Sequence, residues 1–345
     1  MYKMLNNIEI KNFRGIKHLT IDNFKNINIF LGKANTGKTS VIEAIACGIT
    51  KNANSLMLLS YFRGIIRDDD IFESLFYDYN INIPIMLNTK IDNDNYNIEI
   101  SPYKQEREII ISDDKSEEIY NTELNKLLYK ISNNGKSRTS TISFIKKEKK
   151  ISVKINNLQI NLNDNVDFIS GYISEDFSSN LKSILSNNQK KEQFKSLYTK
   201  FDNRIKDIRF IENKVAVELV NLTHAINIKS MGKGFQTYLK IIASMVAGNK
   251  YIVIDEIENG MHFESVKILL ENILSLSKEY SLQFFVTTHN KELLEILNNI
   301  LDENNYNDML SVYNTYINNE NNIDIINYTQ ENFSHFIEND NEMRD

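Results

Sequence analysis

Two stretches of this sequence hold residues whose types and spacing suit work on a phosphate chain. The first is Gly32-Lys33-Ala34-Asn35-Thr36-Gly37-Lys38-Thr39, with Ser40 next in line. It meets G-x-x-x-x-G-K-[ST] at every fixed position. Glycines let the backbone close into a nest whose N–H groups face phosphate oxygens. The start of a following helix adds partial positive charge. Lys38 has the reach for β- and γ-phosphates, and the Thr39 hydroxyl suits a Mg²⁺ ligand. This loop implies that the chain binds a nucleoside triphosphate, with ATP and Mg²⁺ as the expected ligands.

The second stretch, Tyr251-Ile252-Val253-Ile254-Asp255-Glu256, is an apolar run ending in two acids. Asp255 is expected to hold Mg²⁺ through water beside Thr39. Glu256 is expected to polarise the attacking water as general base. Further on, Phe284-Phe285-Val286-Thr287-Thr288-His289 is another apolar run, ending in Thr and His. A histidine there could contact the γ-phosphate or the attacking water. Lys38, Glu256 and His289 are therefore the candidate catalytic groups, and Thr39 and Asp255 the candidate metal ligands.

Such side chains work only if strands and helices hold them. Residues 27–31 read as a strand running into Gly32, and 41–46 are apolar at helical spacing, so the loop joins strand to helix. Alternating residues Ile8, Ile10, Phe13 and then Leu19, Ile21 give two earlier strands. Between 82 and 165, short alternating runs near 81–85, 96–100, 109–111 and 151–155 surround both prolines, Pro84 and Pro102. These predict a β-rich insertion with a short helix near 118–129. Helices are expected at 173–188 and 190–201, and strands resume at Ile208 and Val215. From Gly234 the expected order is helix 235–246, a strand buried on both faces at 251–254, helix 262–278, strand 284–286 and a helix from Lys291. Two short strands (309–316, 322–327) and a helix close the chain. The expected division is 1–81 with the phosphate loop, 82–203 as insertion, and 204–345 with the acidic pair and His289. The expected fold class is an α/β P-loop NTPase with a mixed sheet.

Composition narrows the setting. The 345 residues are 41% hydrophobic and 25% charged, enough apolar material for a sizeable core. Net charge is −6, so no global basic field draws the chain onto nucleic acid. Lys146, Lys147, Lys149 and Lys150 are one candidate for a local basic patch, though they read first as a solvated turn between strands. The single cysteine, Cys47, excludes an internal disulfide and fits a reducing cytoplasm. No run approaches the roughly 18 apolar residues of a membrane span. The expectation is a soluble cytoplasmic protein without a membrane partner.

The acidic pair, followed one helix later by a strand ending in histidine, resembles the ABC-type ATPase heads of RecF, SMC and OLD proteins. Ile10-Lys11-Asn12-Phe13-Arg14-Gly15-Ile16 is similar to the strand that begins those heads. By that resemblance Arg14 should lie close to the nucleotide. The candidate signature is Ser230-Met231-Gly232-Lys233-Gly234, just before the acidic strand. In relatives this element touches the γ-phosphate held by another subunit, so ATP drives head-to-head dimerisation. The resemblance assigns that role to Ser230 and Gly232. The stretch departs from the usual L-S-G-G-Q, with Met231 and Lys233 in place of glycine and glutamine, and its S-x-G-x-G form looks closer to OLD-type ATPases. Glu258-Asn259-Gly260-Met261-His262 resembles the loop that meets the opposite subunit, and Arg63 resembles an arginine of OLD relatives.

No heptad-patterned arm separates the two halves, against SMC-style tethering. No Asp-x-Asp at a strand end follows His289, so an OLD-type nuclease domain, and DNA cleavage by this chain, are not expected. The resemblance implies a homodimer or higher oligomer that acts through a separately encoded effector, a nuclease or toxin. A RecF-like DNA-binding module and a non-hydrolysing scaffold remain open alternatives.

Overall fold

The computed structural model describes residues 3–56, 59, 63, 72–103, 126–147, 150–156, 166–170, 177–212, 214–304, 306–328 and 332–333. Strands β1 (Leu5–Phe13) and β2 (Ile16–Ile21) form an antiparallel hairpin with Ile8 opposite Ile21 and Ile10 opposite Leu19. This register points all four apolar side chains to one face, as a period of two requires. After β3 (Ile27–Leu31) and α1 (Lys38–Thr50), strand β4 (Ile85–Ile91) returns to pair with β1. Then β5 (Asp94–Pro102), β6 (Lys126–Asn133), β7 (Lys136–Lys147) and β8 (Lys150–Asn156) continue as an antiparallel meander. The strands expected as an insertion thus extend the N-terminal hairpin into one seven-stranded sheet, ordered β2-β1-β4-β5-β6-β7-β8.

The second large sheet positions the chemistry. Its strands are β9 (Val166–Ser170), β13 (Tyr251–Asp255), β14 (Gln283–Thr287), β15 (Leu310–Ile317), β16 (Ile323–Tyr328) and the earlier β3, ordered β16-β15-β3-β14-β13-β9. All pairs are parallel except β15–β16. Between β9 and β13 the chain makes α2 (Ser178–Leu185), α3 (Asn188–Phe201), a small sheet of β10 (Ile205–Ile211), β11 (Lys214–Leu219) and β12 (Ile226–Asn227), and α4 (Lys233–Ala247). Helices α5 (Phe263–Tyr280) and α6 (Lys291–Asn304) follow β13 and β14.

Strands β3, β13 and β14 are buried at every residue because both faces of the sheet are covered. Ile252, Ile254, Phe284 and Val286 join a core with α2 to α6, while Tyr251, Val253 and Phe285 join the core of α1 and the seven-stranded sheet. Helix α1 therefore lies between two sheets, which explains why residues 40–49 are all buried.

One expectation needs correction. Lys126–Tyr129, placed in a short helix at 118–129, are the start of β6, since Leu127 and Tyr129 bury on alternate positions against β5. The rest of that helix, the run at 109–111 and most of the final helix lie outside the described residues. Strands β7 and β9 were not foreseen. β7 is rich in Ser, Thr and Lys because its outer face is solvated, and β9 is only five residues long.

Candidate active site

Parallel pairing brings the carboxyl ends of β3, β14 and β13 side by side, and the residues that follow each strand face one cavity of about 1000 Å³. Its lining includes the phosphate loop from Gly32 to Ser40 except Thr36, together with Asp255, Glu256, Thr287, Thr288 and His289. Crevices beyond the carboxyl ends of parallel strands are where this architecture collects ligand groups.

The loop is built for backbone donors. Gly32 has φ of 135° and Gly37 of 89°, values that side chains rarely tolerate. A Cβ at Gly32 would also collide with the Thr315 carbonyl, and one at Gly37 with the Ile323 side chain. The loop is thus pressed against β15 and β16. Thr36 donates to the Lys33 carbonyl at 2.9 Å and shares a 2.8 Å hydrogen bond with the Thr315 hydroxyl. Helix α1 begins at Lys38 with no side-chain cap and no acid in its first turn, so its first N–H groups keep their donor capacity and its dipole is not neutralised. Lys38 Nζ lies across the nest, donating to the carbonyls of Gly32 at 2.8 Å and Lys33 at 2.7 Å. Burial pulls the Lys38 pKa below its ordinary value, against the opposing pull of Asp255, Glu256 and Glu258.

Asp255 is buried at the end of β13. Thr287 donates to its Oδ1 at 2.6 Å, and the Thr39 hydroxyl lies 3.2 Å from both carboxylate oxygens. Burial raises the Asp255 pKa, and these two hydroxyls counter the rise. Thr39 and Asp255 together offer the hard oxygen donors that Mg²⁺ selects, with room in the cavity for phosphate oxygens and water. Glu256 adopts a left-handed φ of 56°, and its N–H donates to the Thr287 hydroxyl at 2.8 Å. That kink separates the neighbouring acids: Asp255 stays buried beside Thr39, while Glu256 turns into the open cavity. Asn259 donates to Glu256 Oε2 at 3.4 Å. His289, after β14, is largely exposed. Its Nδ1 lies 3.5 Å from Glu258 Oε1, which also accepts from the His289 N–H at 3.3 Å.

The structure places the two arginines differently. Arg14 is buried and does not line the cavity; it donates to the Ser74 carbonyl and hydroxyl at 3.2 Å each. Its Nε also lies 3.4 Å from Glu43. Arg63 does line the cavity, forked onto Glu43 at 2.6 and 2.9 Å and donating to the Ser40 hydroxyl at 3.2 Å. Glu43 was missed in the sequence, although a carboxylate inside the apolar run 41–46 was a visible signal. Thr315 and Ile323 carried no such signal.

Ser230 and Gly232 are exposed and lie outside the lining of this cavity. Gly232 caps α4, which starts with no side-chain cap and no acid in its first turn. Behind it, Gly234 is seated so tightly on the 258–261 loop that a Cβ would strike the Gly260 carbonyl. Of the lysine patch, the backbones of Lys146, Lys147 and Lys150 form the closing pairs of β7 and β8, while Lys149 lies outside the described residues.

Residues 27–295 match the family model described as "AAA domain, putative AbiEii toxin, Type IV TA system". A Helicobacter pylori protein named "ATP/GTP phosphatase" is 27% identical over 340 residues, covering 88% of this chain and 90% of that protein. An uncharacterized protein of Methanocaldococcus jannaschii is 38% identical over 63 residues, 18% of this chain and 29% of its own. Among solved structures, an Smc head bound to the C-terminal winged-helix domain of ScpA superposes with a TM-score of 0.55 at 12% identity, covering 96% of this chain and 99% of that one. That likeness concerns the fold.

Proposed function

Because the chain belongs to the AAA-domain family described as putative AbiEii toxin, type IV toxin–antitoxin system, we propose that it is an ATPase that dimerises around ATP and so switches a partner effector. The fold is that of an α/β P-loop NTPase with an SMC-head-like arrangement. The observation that carries the reading is the meeting of Lys38, Thr39, Asp255, Glu256 and His289 around one cavity. The phosphatase name of the Helicobacter pylori relative supports hydrolysis.

In this reading the loop amides and Lys38 bind the β- and γ-phosphate oxygens, and the first turn of α1 adds its dipole. Thr39 and Asp255 would hold Mg²⁺, which supplies neutralisation of phosphate charge. Glu256, turned into the cavity, accepts a proton from the attacking water. His289 presents its ring at the outer end, and Arg63 adds a second cation held by Glu43. Ser230 and Gly232 act on the nucleotide of a second copy, which fits their exposure and the uncapped start of α4. The S-x-G-x-G form supports an OLD-type subgroup. The effector would be a separately encoded nuclease or toxin, in defence against phage or in DNA maintenance. A cytoplasmic site fits the buried free Cys47 and the lack, among described residues, of any helix long and apolar enough to cross a membrane.

The test is molar mass by light scattering with and without ATP–Mg²⁺ in the Glu256→Gln variant. A monomer-to-dimer shift only with ATP, abolished by Ser230→Arg, is the expected result. Constant mass with ATP bound would overturn the dimer reading and leave the phosphate loop standing.

A second reading, ATP-dependent loading onto DNA, draws support from the outer face of the seven-stranded sheet. The strand register puts Lys11, Lys90, Lys126, Lys130 and Lys154 there, with Glu9 and Glu99 as the acids among its described residues. Seryl and threonyl hydroxyls at Ser132, Thr139, Thr141 and Ser143 lie between them. Lysines and hydroxyls contact phosphate backbones without reading bases. Salt-sensitive DNA binding lost in Lys130→Glu/Lys154→Glu is the supporting result, and no binding at low salt removes the reading.

A further inference from the structure

We propose that Glu258 is the positioning residue for His289, fixing which ring nitrogen meets the nucleotide. This rests on the reading of His289 as a group acting at the nucleotide. Glu258 is the second residue after the proposed base, and its side chain is only 10% exposed despite carrying a carboxylate. A buried carboxylate is retained where donors face it. Oε1 has two such neighbours, both from one residue: the His289 N–H at 3.3 Å and His289 Nδ1 at 3.5 Å. The other oxygen, Oε2, is buried with no hydrogen-bond partner among the described residues. The carboxylate is thus committed to the strand end that bears His289.

The chemical consequence follows from imidazole tautomerism. A carboxylate at Nδ1 favours the proton on that nitrogen, which leaves Nε2 as the ring's free pole, turned away from Glu258. The backbone contact does a second job, because it fixes the turn between β14 and α6 from which the ring projects. Glu258 thereby ties the segment after the acidic pair to the strand end after β14. A histidine on an exposed turn would otherwise sample several rotamers, and its rate contribution would be diluted accordingly. Glu258 does not line the cavity, whereas His289 does, so its influence on the reaction runs through the histidine.

The test is ATP hydrolysis by Glu258→Ala, Glu258→Gln, His289→Ala and the Glu258→Ala/His289→Ala double variant, with nucleotide binding measured in parallel. Glu258→Ala is expected to lower kcat about 10- to 100-fold, the range seen when orienting partners of functional histidines are removed, with KM changed less than about threefold. Glu258→Gln keeps an acceptor oxygen and is expected to stay within about threefold of the parent, and it preserves the test should the alanine variant not fold. The double variant is expected to match His289→Ala alone. Losses that multiply in the double variant, or a fall in nucleotide affinity with kcat intact, would overturn the proposal. A His289→Ala variant with parental kcat would instead overturn the reading of His289 itself.

Discussion

Loss of the Glu43 charge strands a buried cation. Its carboxylate is 1% exposed and faces two guanidinium groups, Arg63 at 2.6 and 2.9 Å and Arg14 at 3.4 Å. Glu43→Gln keeps an acceptor and the volume but removes the charge. Arg14 is the group that suffers, since its side chain is 6% exposed and its Nε and Nη2 have no hydrogen-bond partner among the described residues. Burial already lowers the Arg14 pKa, against the pull of Glu43. Stripping one partner from a buried pair costs about 3–5 kcal/mol. Arg63 is 33% exposed, so water screens its share and the lower bound, about 3 kcal/mol, is the better figure. At about 2 °C per kcal/mol for a domain of this size, the melting temperature should fall by roughly 6 °C. Circular-dichroism melts and urea midpoints measure this, with an unchanged m-value marking a stability effect. Replacing Glu43 and Arg14 together by Leu and Met should recover much of the loss, because it removes the stranded charge. A Glu43→Gln melt within about 1 °C of the parent would refute the reasoning.

Thr287→Val removes the hydroxyl that donates to Asp255 and accepts from the Glu256 N–H. Hydrogen bonds to charged groups contribute about 1.5–3 kcal/mol. Steady-state hydrolysis should therefore fall about 10- to 100-fold and need more Mg²⁺, while an unchanged Mg²⁺ titration would detach Asp255 from the metal. Gly234→Ala drives a methyl into the Gly260 carbonyl, an overpacking cost of about 1–3 kcal/mol. ATP-dependent dimerisation in light scattering should weaken more than ATP affinity, since the displaced segments lie outside the cavity. Burial pushes the Cys47 thiol up to about 12. The folded value lies above the free one, so this group's contribution to stability is full below about pH 9 and is lost as pH climbs towards 12. At pH 8.5 a thiol dye should leave the native protein unlabelled and react fully in denaturant. Rapid native labelling would contradict the burial.

The sequence by itself determined the chemistry that is local in the chain. A phosphate loop needs its glycines, lysine and threonine within eight residues, flanked by a strand and a helix, so Gly32 to Thr39 was legible without any fold. The acidic pair and His289 were legible for a related reason: each ends an apolar run too uniform to be anything but a strand covered on both faces. The large helices followed from period. What tertiary structure alone decided is adjacency. The order β3-β14-β13 reverses two strands relative to the chain, and that reversal makes Thr287 the bridge between Asp255 and Glu256. Arg14 and Arg63 look alike in sequence and meet the same Glu43 carboxylate, yet Arg14 is buried and Arg63 opens into the cavity. Strand β7 carries little apolar pattern, its first residues being exposed and Ser/Thr-rich, and was missed, while β6 was misread as helix although Leu127 and Tyr129 alternate into the core. Contacts of this kind join residues far apart in the chain, and no local pattern encodes them.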